Sequence, residues 1–121
     1  MIRMFFLGLM LSATPAIADD DWVIGFLTQV SACWSPGVMS TEAYNTSIVM
    51  AFEMRPDKHP IASSLRLSSF DGGTAEHATE VFDRARRAIL RCSGFGYDLP
   101  EDQYELWQSI EITFDPRQMR R

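Results

Sequence analysis

The chain has 121 residues, the length of one domain, with 46 % hydrophobic and 22 % charged residues, which excludes a disordered tail. Lys and Arg number 11 against 16 Asp and Glu, and the formal charge of −5 argues against a dedicated nucleic-acid binder, which needs a basic face to neutralise phosphates. With 2 cysteines, a structural zinc site built from thiolates alone is excluded as well.

Met1-Ile2-Arg3 supplies a positive charge, Met4 to Leu11 is an apolar run, and Ala16-Ile17-Ala18 is an A-x-A site followed by Asp19-Asp20-Asp21. That order predicts a secretory signal peptide over residues 1–18, cleaved between Ala18 and Asp19. A membrane anchor is the competing reading, but the apolar run falls well short of the ~20 residues that span a bilayer. Ser12, Thr14 and Pro15 interrupt its continuation. The expected location is the periplasm, with no stable membrane insertion after cleavage; a retained signal would instead anchor the chain to the inner membrane. Residues 19–121 then form one domain.

Cys33 and Cys92 both lie in that domain. In an oxidising compartment a single pair has one intramolecular connectivity, so a structural disulfide is expected. A redox-active pair would sit at C-x-x-C spacing, which these two do not.

Asp19 to Asp21 precede a stripe of Val23, Phe26, Leu27, Val30 and Cys33 or Trp34, at spacings of three and four. This predicts a helix with acidic groups at its positive end, stopped by Ser35-Pro36-Gly37. The three aspartates lack the alternate-position spacing of a calcium loop. From Tyr44 to Met54 the period changes to two: Tyr44, Thr46, Ile48, Met50, Phe52 and Met54 share the more apolar face of a predicted strand. A turn at Arg55 to Pro60 leads to a weaker strand over Ala62 to Ser69, with Leu65 and Leu67 on one face. Together these read as an antiparallel hairpin.

Asp71-Gly72-Gly73 breaks the chain, Thr74 is an N-cap, and a long helix runs to about Ser93 with Gly94 as its stop. Its buried stripe is Ala78, Val81 or Phe82, Ala85, Ala88 or Ile89, and Cys92. Glu80 with Arg84 and Asp83 with Arg87 are spaced for ion pairs, and Arg84, Arg86, Arg87 and Arg91 suggest an anion site but, interleaved with Glu76, Glu80 and Asp83, read rather as a solvated face. A loop over Gly94 to Pro100 and a short helical turn within Glu101 to Trp107 follow. The last strand, Ser109 to Phe114, alternates Ile110, Ile112 and Phe114 against Ser109, Glu111 and Thr113.

Catalytic signatures are missing from this pattern. His59 lies in a turn and His77 in the first turn of the long helix, without i, i+4 metal-binding partners, so both read as surface residues. Gly72-Gly73 lacks the remaining glycines and the lysine of a phosphate loop, and no serine sits in G-x-S-x-G context.

Cys33-Trp34 ends the first helix, Ala85-Arg86-Arg87-Ala88-Ile89-Leu90-Arg91-Cys92 ends the long one, and Gly96-Tyr97-Asp98-Leu99-Pro100, Tyr104 and Trp107 precede Ile110-Glu111-Ile112-Thr113-Phe114-Asp115-Pro116. In order and spacing this resembles the C-terminal periplasmic domain of TolA, most closely the α-proteobacterial type, and the related TonB C-terminal domain. The resemblance covers nearly all of residues 19–121. It implies an α+β fold: N-terminal helix, antiparallel hairpin, long helix and final strand, with a three-stranded antiparallel sheet packed on helices. It also implies a binding module without catalytic residues, metal or cofactor, acting in cell-envelope maintenance or transport.

The implied partner is a periplasmic or outer-membrane envelope protein, TolB-like or another peptide segment, engaged by β-strand addition. By likeness to the family's last strand, Ile110, Glu111, Ile112, Thr113 and Phe114 are the candidate partner-binding edge. Two departures stand out. The turn Asp57-Lys58-His59-Pro60 replaces the Asp-Gly common in the family. A membrane helix and long linker precede the domain in full family proteins, where residues 1–18 here read as a cleavable signal. The alternative function is a small secreted enzyme or enzyme inhibitor on the same scaffold.

Overall fold

The computed structural model describes residues 21–35 and 37–119. The expected signal peptide, with its cleavage site at Ala18 and Asp19, lies outside the described residues. Within them the order is helix α1 (Asp21–Ser31), the single turn α2 (Thr41–Tyr44), strand β1 (Ser47–Glu53), strand β2 (Arg66–Asp71), the long helix α3 (Ala75–Arg91), the short α4 (Tyr104–Trp107) and strand β3 (Ser109–Phe114). The three strands form one antiparallel sheet in the order β2-β1-β3, so the class is α+β as expected.

β1 shows why the sheet has one dry face. Ile48, Met50 and Phe52 project into the core, joined by Ile110, Ile112 and Phe114 of β3, and all six are buried. Helices α1 and α3 cover that face. Phe26 of α1 packs against Phe52 and Tyr97 with ring centroids 6.0 and 4.6 Å away, and Trp34 lies 5.1 Å from Phe114. From α3, Ala78, Val81, Ala85, Ala88 and Ile89 complete the core along the expected stripe. Two buried aromatics have satisfied polar tips: Tyr97 Oη donates to the Ile89 carbonyl at 2.6 Å and Trp107 Nε1 to the Pro100 carbonyl at 2.9 Å. Burial pushes the Tyr97 hydroxyl well above the ordinary phenol range.

The hairpin differs from expectation at both strands. Tyr44 and Asn45 are not extended, because Ser40 N-caps a helical turn over Thr41–Tyr44, its hydroxyl accepting the Ala43 N–H at 3.1 Å. Thr46, fully buried, donates to the Glu42 carbonyl at 2.6 Å, and the strand starts one residue later. Likewise Ala62–Ser64 is a 3-10 turn: the Ser64 hydroxyl donates to the Ile61 carbonyl and accepts the Glu53 N–H at 2.8 Å, satisfying backbone that a ladder would otherwise need. Strand β2 is therefore displaced to Arg66–Asp71. A bulge opposite Val49/Met50 pairs Leu67 with Met50 but Phe70 with Ile48, so the β2 partners of these two core residues are three apart instead of two, and Phe70 stays exposed.

The turn itself closes without glycine. Arg55 N–H donates to the His59 carbonyl and Lys58 N–H to the Arg55 carbonyl, both at 2.9 Å, and Lys58 takes φ 71°. A three-residue hairpin loop wants its left-handed residue at that place, and here a lysine fills it.

Helix α3 starts as expected at its cap. Thr74 accepts the His77 N–H at 3.3 Å and gives its own N–H to His77 Nδ1 at 3.2 Å, a capping box with histidine in the place of the usual Glu. The ion pairs expected along the helix are not formed. Glu80 instead meets the Ser40 hydroxyl at 3.5 Å, and Arg84 turns to the carbonyls of Ser35 and Val38 at 3.3 and 2.7 Å. Among the described residues no helix is long and apolar enough to cross a membrane.

Cys33, just beyond α1, and Cys92, the C-cap of α3, are joined by a disulfide with Cα atoms 5.7 Å apart and a sequence separation of 59. A loop of that length limits the unfolded chain by about 4 kcal/mol in the chain-entropy treatment. Replacing both cysteines with serine is expected to lower unfolding stability by roughly 2–4 kcal/mol in urea titrations while leaving the far-ultraviolet spectrum of the folded state unchanged. Equal stability of the variant and the oxidised protein would contradict a structural role for the bridge.

Candidate functional site

Strand β3 is paired on one side, and its hydrogen-bonding parity decides what the other side offers. Phe52 faces Ile110, Met50 faces Ile112 and Ile48 faces Phe114, and the Met54 N–H donates to the Gln108 carbonyl at 2.9 Å one step earlier in the same register. In an antiparallel pair the mutually bonded positions recur every second residue. Ile110, Ile112 and Phe114 therefore spend their backbone groups on β1, and Glu111 and Thr113 aim theirs away from it. β1 obeys the same parity: Glu53 turns to the β2 side, its N–H taken by Ser64 Oγ and its carbonyl by the Ile61 N–H at 2.9 Å.

Side chains alternate in step. Ile110, Ile112 and Phe114 are buried beneath the sheet, while Glu111 and Thr113 stand exposed on its open face. The edge is thus a strand anchored in the core at every second residue, with its free donors and acceptors between the anchors. β2, at the other edge, is broken by its bulge and preceded by a 3-10 turn, devices that spoil a strand as a template.

A groove runs beside the β3 edge. A cavity of about 210 Å³ lies between α1 and the end of β3, lined by Ile24, Leu27, Thr28, Thr113 and Met119 among others. Ile24, 69 % exposed, falls off the buried stripe of α1 and so presents an apolar side chain to this groove. At the end of the strand Asp115 caps the 3-10 turn Pro116–Gln118, accepting the Arg117 N–H at 3.0 Å. The Arg117 guanidinium bonded to it holds the Asp115 carboxyl below the ordinary carboxylate range. Glu111 makes no hydrogen bond or ion pair among the described residues, leaving its carboxylate free for an incoming chain.

All five residues expected at the edge, Ile110 to Phe114, lie on β3, but they divide into core anchors (Ile110, Ile112, Phe114) and outward-facing positions (Glu111, Thr113). Cys33 and Cys92 are bonded to each other as expected. Ile24 is the groove residue that sequence reasoning passed over. Its signal was a large apolar side chain out of phase with the Val23, Phe26, Leu27, Val30 stripe. No family model, curated protein or solved structure matches the chain.

His59 is more than a turn residue. Its Nε2 lies 3.0 Å from the Gly94 carbonyl, and its Nδ1 lies 3.2 Å from both the carbonyl and the carboxylate of Asp57. Both ring nitrogens thus face acceptors, and the imidazolium alone can donate to both. Around it stand Arg55, ion-paired with Asp57, and Lys58, ion-paired with Glu101, while the Tyr97 N–H donates to the Lys58 carbonyl at 2.9 Å. The hairpin turn is thereby tied to the loop after α3.

The Gly94 carbonyl raises the His59 pKa above its ordinary 6.5 against the opposing effect of desolvation, and the hydrogen bonds and charge of Asp57 add smaller upward contributions. A value raised in the folded state gives stabilisation that is complete below the unfolded value and is lost as pH climbs through the folded one. Thermal stability is accordingly expected to decline as pH rises from 6.5 through the His59 titration, with that component absent in His59→Gln. Ring-proton titration by NMR should place the midpoint above 6.5; a midpoint at or below it would contradict the clamp.

Proposed function

We propose that the protein is a periplasmic binding module of the TolA/TonB C-terminal type, recognising an extended segment of an envelope protein by adding it to the outer edge of β3. One observation carries this reading: Glu111 and Thr113 aim their backbone groups away from β1, on a strand whose other residues are fixed in the core. An extended peptide completes such groups with main-chain hydrogen bonds, and pockets for alternate side chains add specificity. The groove at Ile24, Leu27 and Met119 supplies an apolar pocket on the core side of the incoming strand. Glu111 supplies a carboxylate on the other face, which suits a basic residue there. The disulfide supports an oxidising compartment, the setting in which such bridges persist. In this reading the protein serves cell-envelope maintenance or transport through the partner it holds.

The parity supplies the test. Proline at Thr113 removes an outward N–H and leaves the β1 ladder intact, whereas proline at Ile112 removes a ladder bond. Thr113→Pro is expected to keep a native circular dichroism spectrum and cooperative melting yet to lose at least tenfold of its binding to whatever envelope protein the wild type captures from periplasmic extract. Glu111→Ala keeps every backbone donor and should cost much less. A folded Thr113→Pro variant that captures the same protein as tightly as wild type would remove β3 as the recognition edge.

A further inference from the structure

We propose that Arg84, Arg87 and Arg91 of α3, with Cys33 and Ser35 beyond α1, form a binding site for a phosphate group. Arg84, Arg87 and Arg91, spaced three and four apart, share one stripe of α3 and line a single cavity of about 130 Å³ with Ser35 and Cys33. No carboxylate lines it, and none of the three arginines forms an ion pair among the described residues, although Asp83 is spaced to pair with Arg87. Three arginines thus line one cavity without an ion-paired counter-charge in a protein whose formal charge is −5.

One arginine of the three is held in place. Arg84 is fixed by its hydrogen bonds to the Ser35 and Val38 carbonyls, which occupy two of its five N–H donors and leave three. The Cys33–Cys92 bridge ties one wall to the other, since Cys33 lines the cavity and Cys92 follows Arg91. The helix end contributes no attraction of its own, because a C-terminus carries negative partial charge and favours the arginines, not the anion. Binding energy therefore comes from the guanidinium forks, whose planar donors match phosphate oxygens in pairs. A phosphate has enough oxygens to engage all three groups, which a chloride does not.

Phosphate reaches such a site as a free anion or on a lipid headgroup. Val38, 94 % exposed, gives its carbonyl to Arg84, and an exposed apolar side chain on a residue bonded to the site suits a lipid-borne phosphate at a membrane surface.

The test uses the exported protein and two probes. Inorganic phosphate is titrated against chloride at matched ionic strength while the arginine Nε–H resonances are followed by NMR. Vesicles of phosphatidylglycerol are compared with phosphatidylcholine by co-sedimentation. The variant R87Q/R91Q leaves Arg84 and its backbone contacts in place, and its cooperative melting confirms that it folds. Saturable shifts of Arg84, Arg87 and Arg91 at millimolar phosphate, weakened at least tenfold in R87Q/R91Q, establish the site. Phosphatidylglycerol-dependent sedimentation, reduced in R87Q/R91Q and in Val38→Asp, assigns the lipid as source; phosphate binding without sedimentation assigns the free anion. Absence of both responses, or responses unchanged in R87Q/R91Q, overturns the proposal.

Discussion

β1 is hydrogen-bonded along both flanks, and its period of two governs the rest of the fold. Out of the sheet plane, the alternation sends Ile48, Met50 and Phe52 into the core and leaves Ser47, Val49 and Glu53 on the open face. Within the plane, the same alternation sends the backbone of even-numbered residues to β3 and of odd-numbered ones to β2. β3 inherits the second alternation through its register, so the residues that anchor it in the core are the ones bonded to β1. What remains at the edge is not adjustable. Moving the register by one residue would expose Ile110, Ile112 and Phe114 and bury Glu111, a change that the core forbids.

The helices convert this sheet into a platform with two separate surfaces. α1 and α3 bury its apolar face, and their ends are tied by the Cys33–Cys92 bridge, so neither helix can drift from the strands beneath it. α1 then borders the β3 edge with Ile24 and Leu27, while α3 turns Arg84, Arg87 and Arg91 toward the segment beyond α1. The strand-binding edge and the phosphate-binding face proposed above would together let one small domain hold an envelope protein beside a membrane. The hairpin turn is kept separate from both, fastened to the loop after α3 by His59 and by Lys58 with Glu101.

Much of this was legible from residue spacing. The 3.6-residue stripes of α1 and α3, the Thr74 cap and the Ser109–Phe114 strand follow from side-chain periodicity and local chemistry, and the cysteine pair from there being two cysteines and an expected oxidising compartment. The misplaced elements share one physical cause: hydroxyl side chains that satisfy nearby backbone. Ser40 caps a turn over Thr41–Tyr44, and Ser64 captures Glu53 N–H, so extended pairing begins later than the apolar alternation implied. The β2 bulge was invisible for a different reason, since Leu67 and Phe70 are three apart, a spacing that a strand's period of two does not give. Arg84 shows the limit for charge patterns: i, i+4 spacing allows an ion pair with Glu80, but two carbonyls across the fold offer a better-placed partner. Of the candidate edge, the strand was legible and its position in the sheet was not. That position depends on how β3 returns to β1, a contact between residues far apart in sequence.

The central claim is that Glu111 and Thr113 carry open backbone groups on a strand otherwise locked to β1. Amide hydrogen exchange of the free protein, read residue by residue by NMR, tests it most directly. Alternation is the predicted result: slow exchange at Ile110, Ile112 and Phe114, and exchange faster by at least two orders of magnitude at Glu111 and Thr113. Uniform protection along the whole strand would mean that the outer edge is already paired, and would contradict the account.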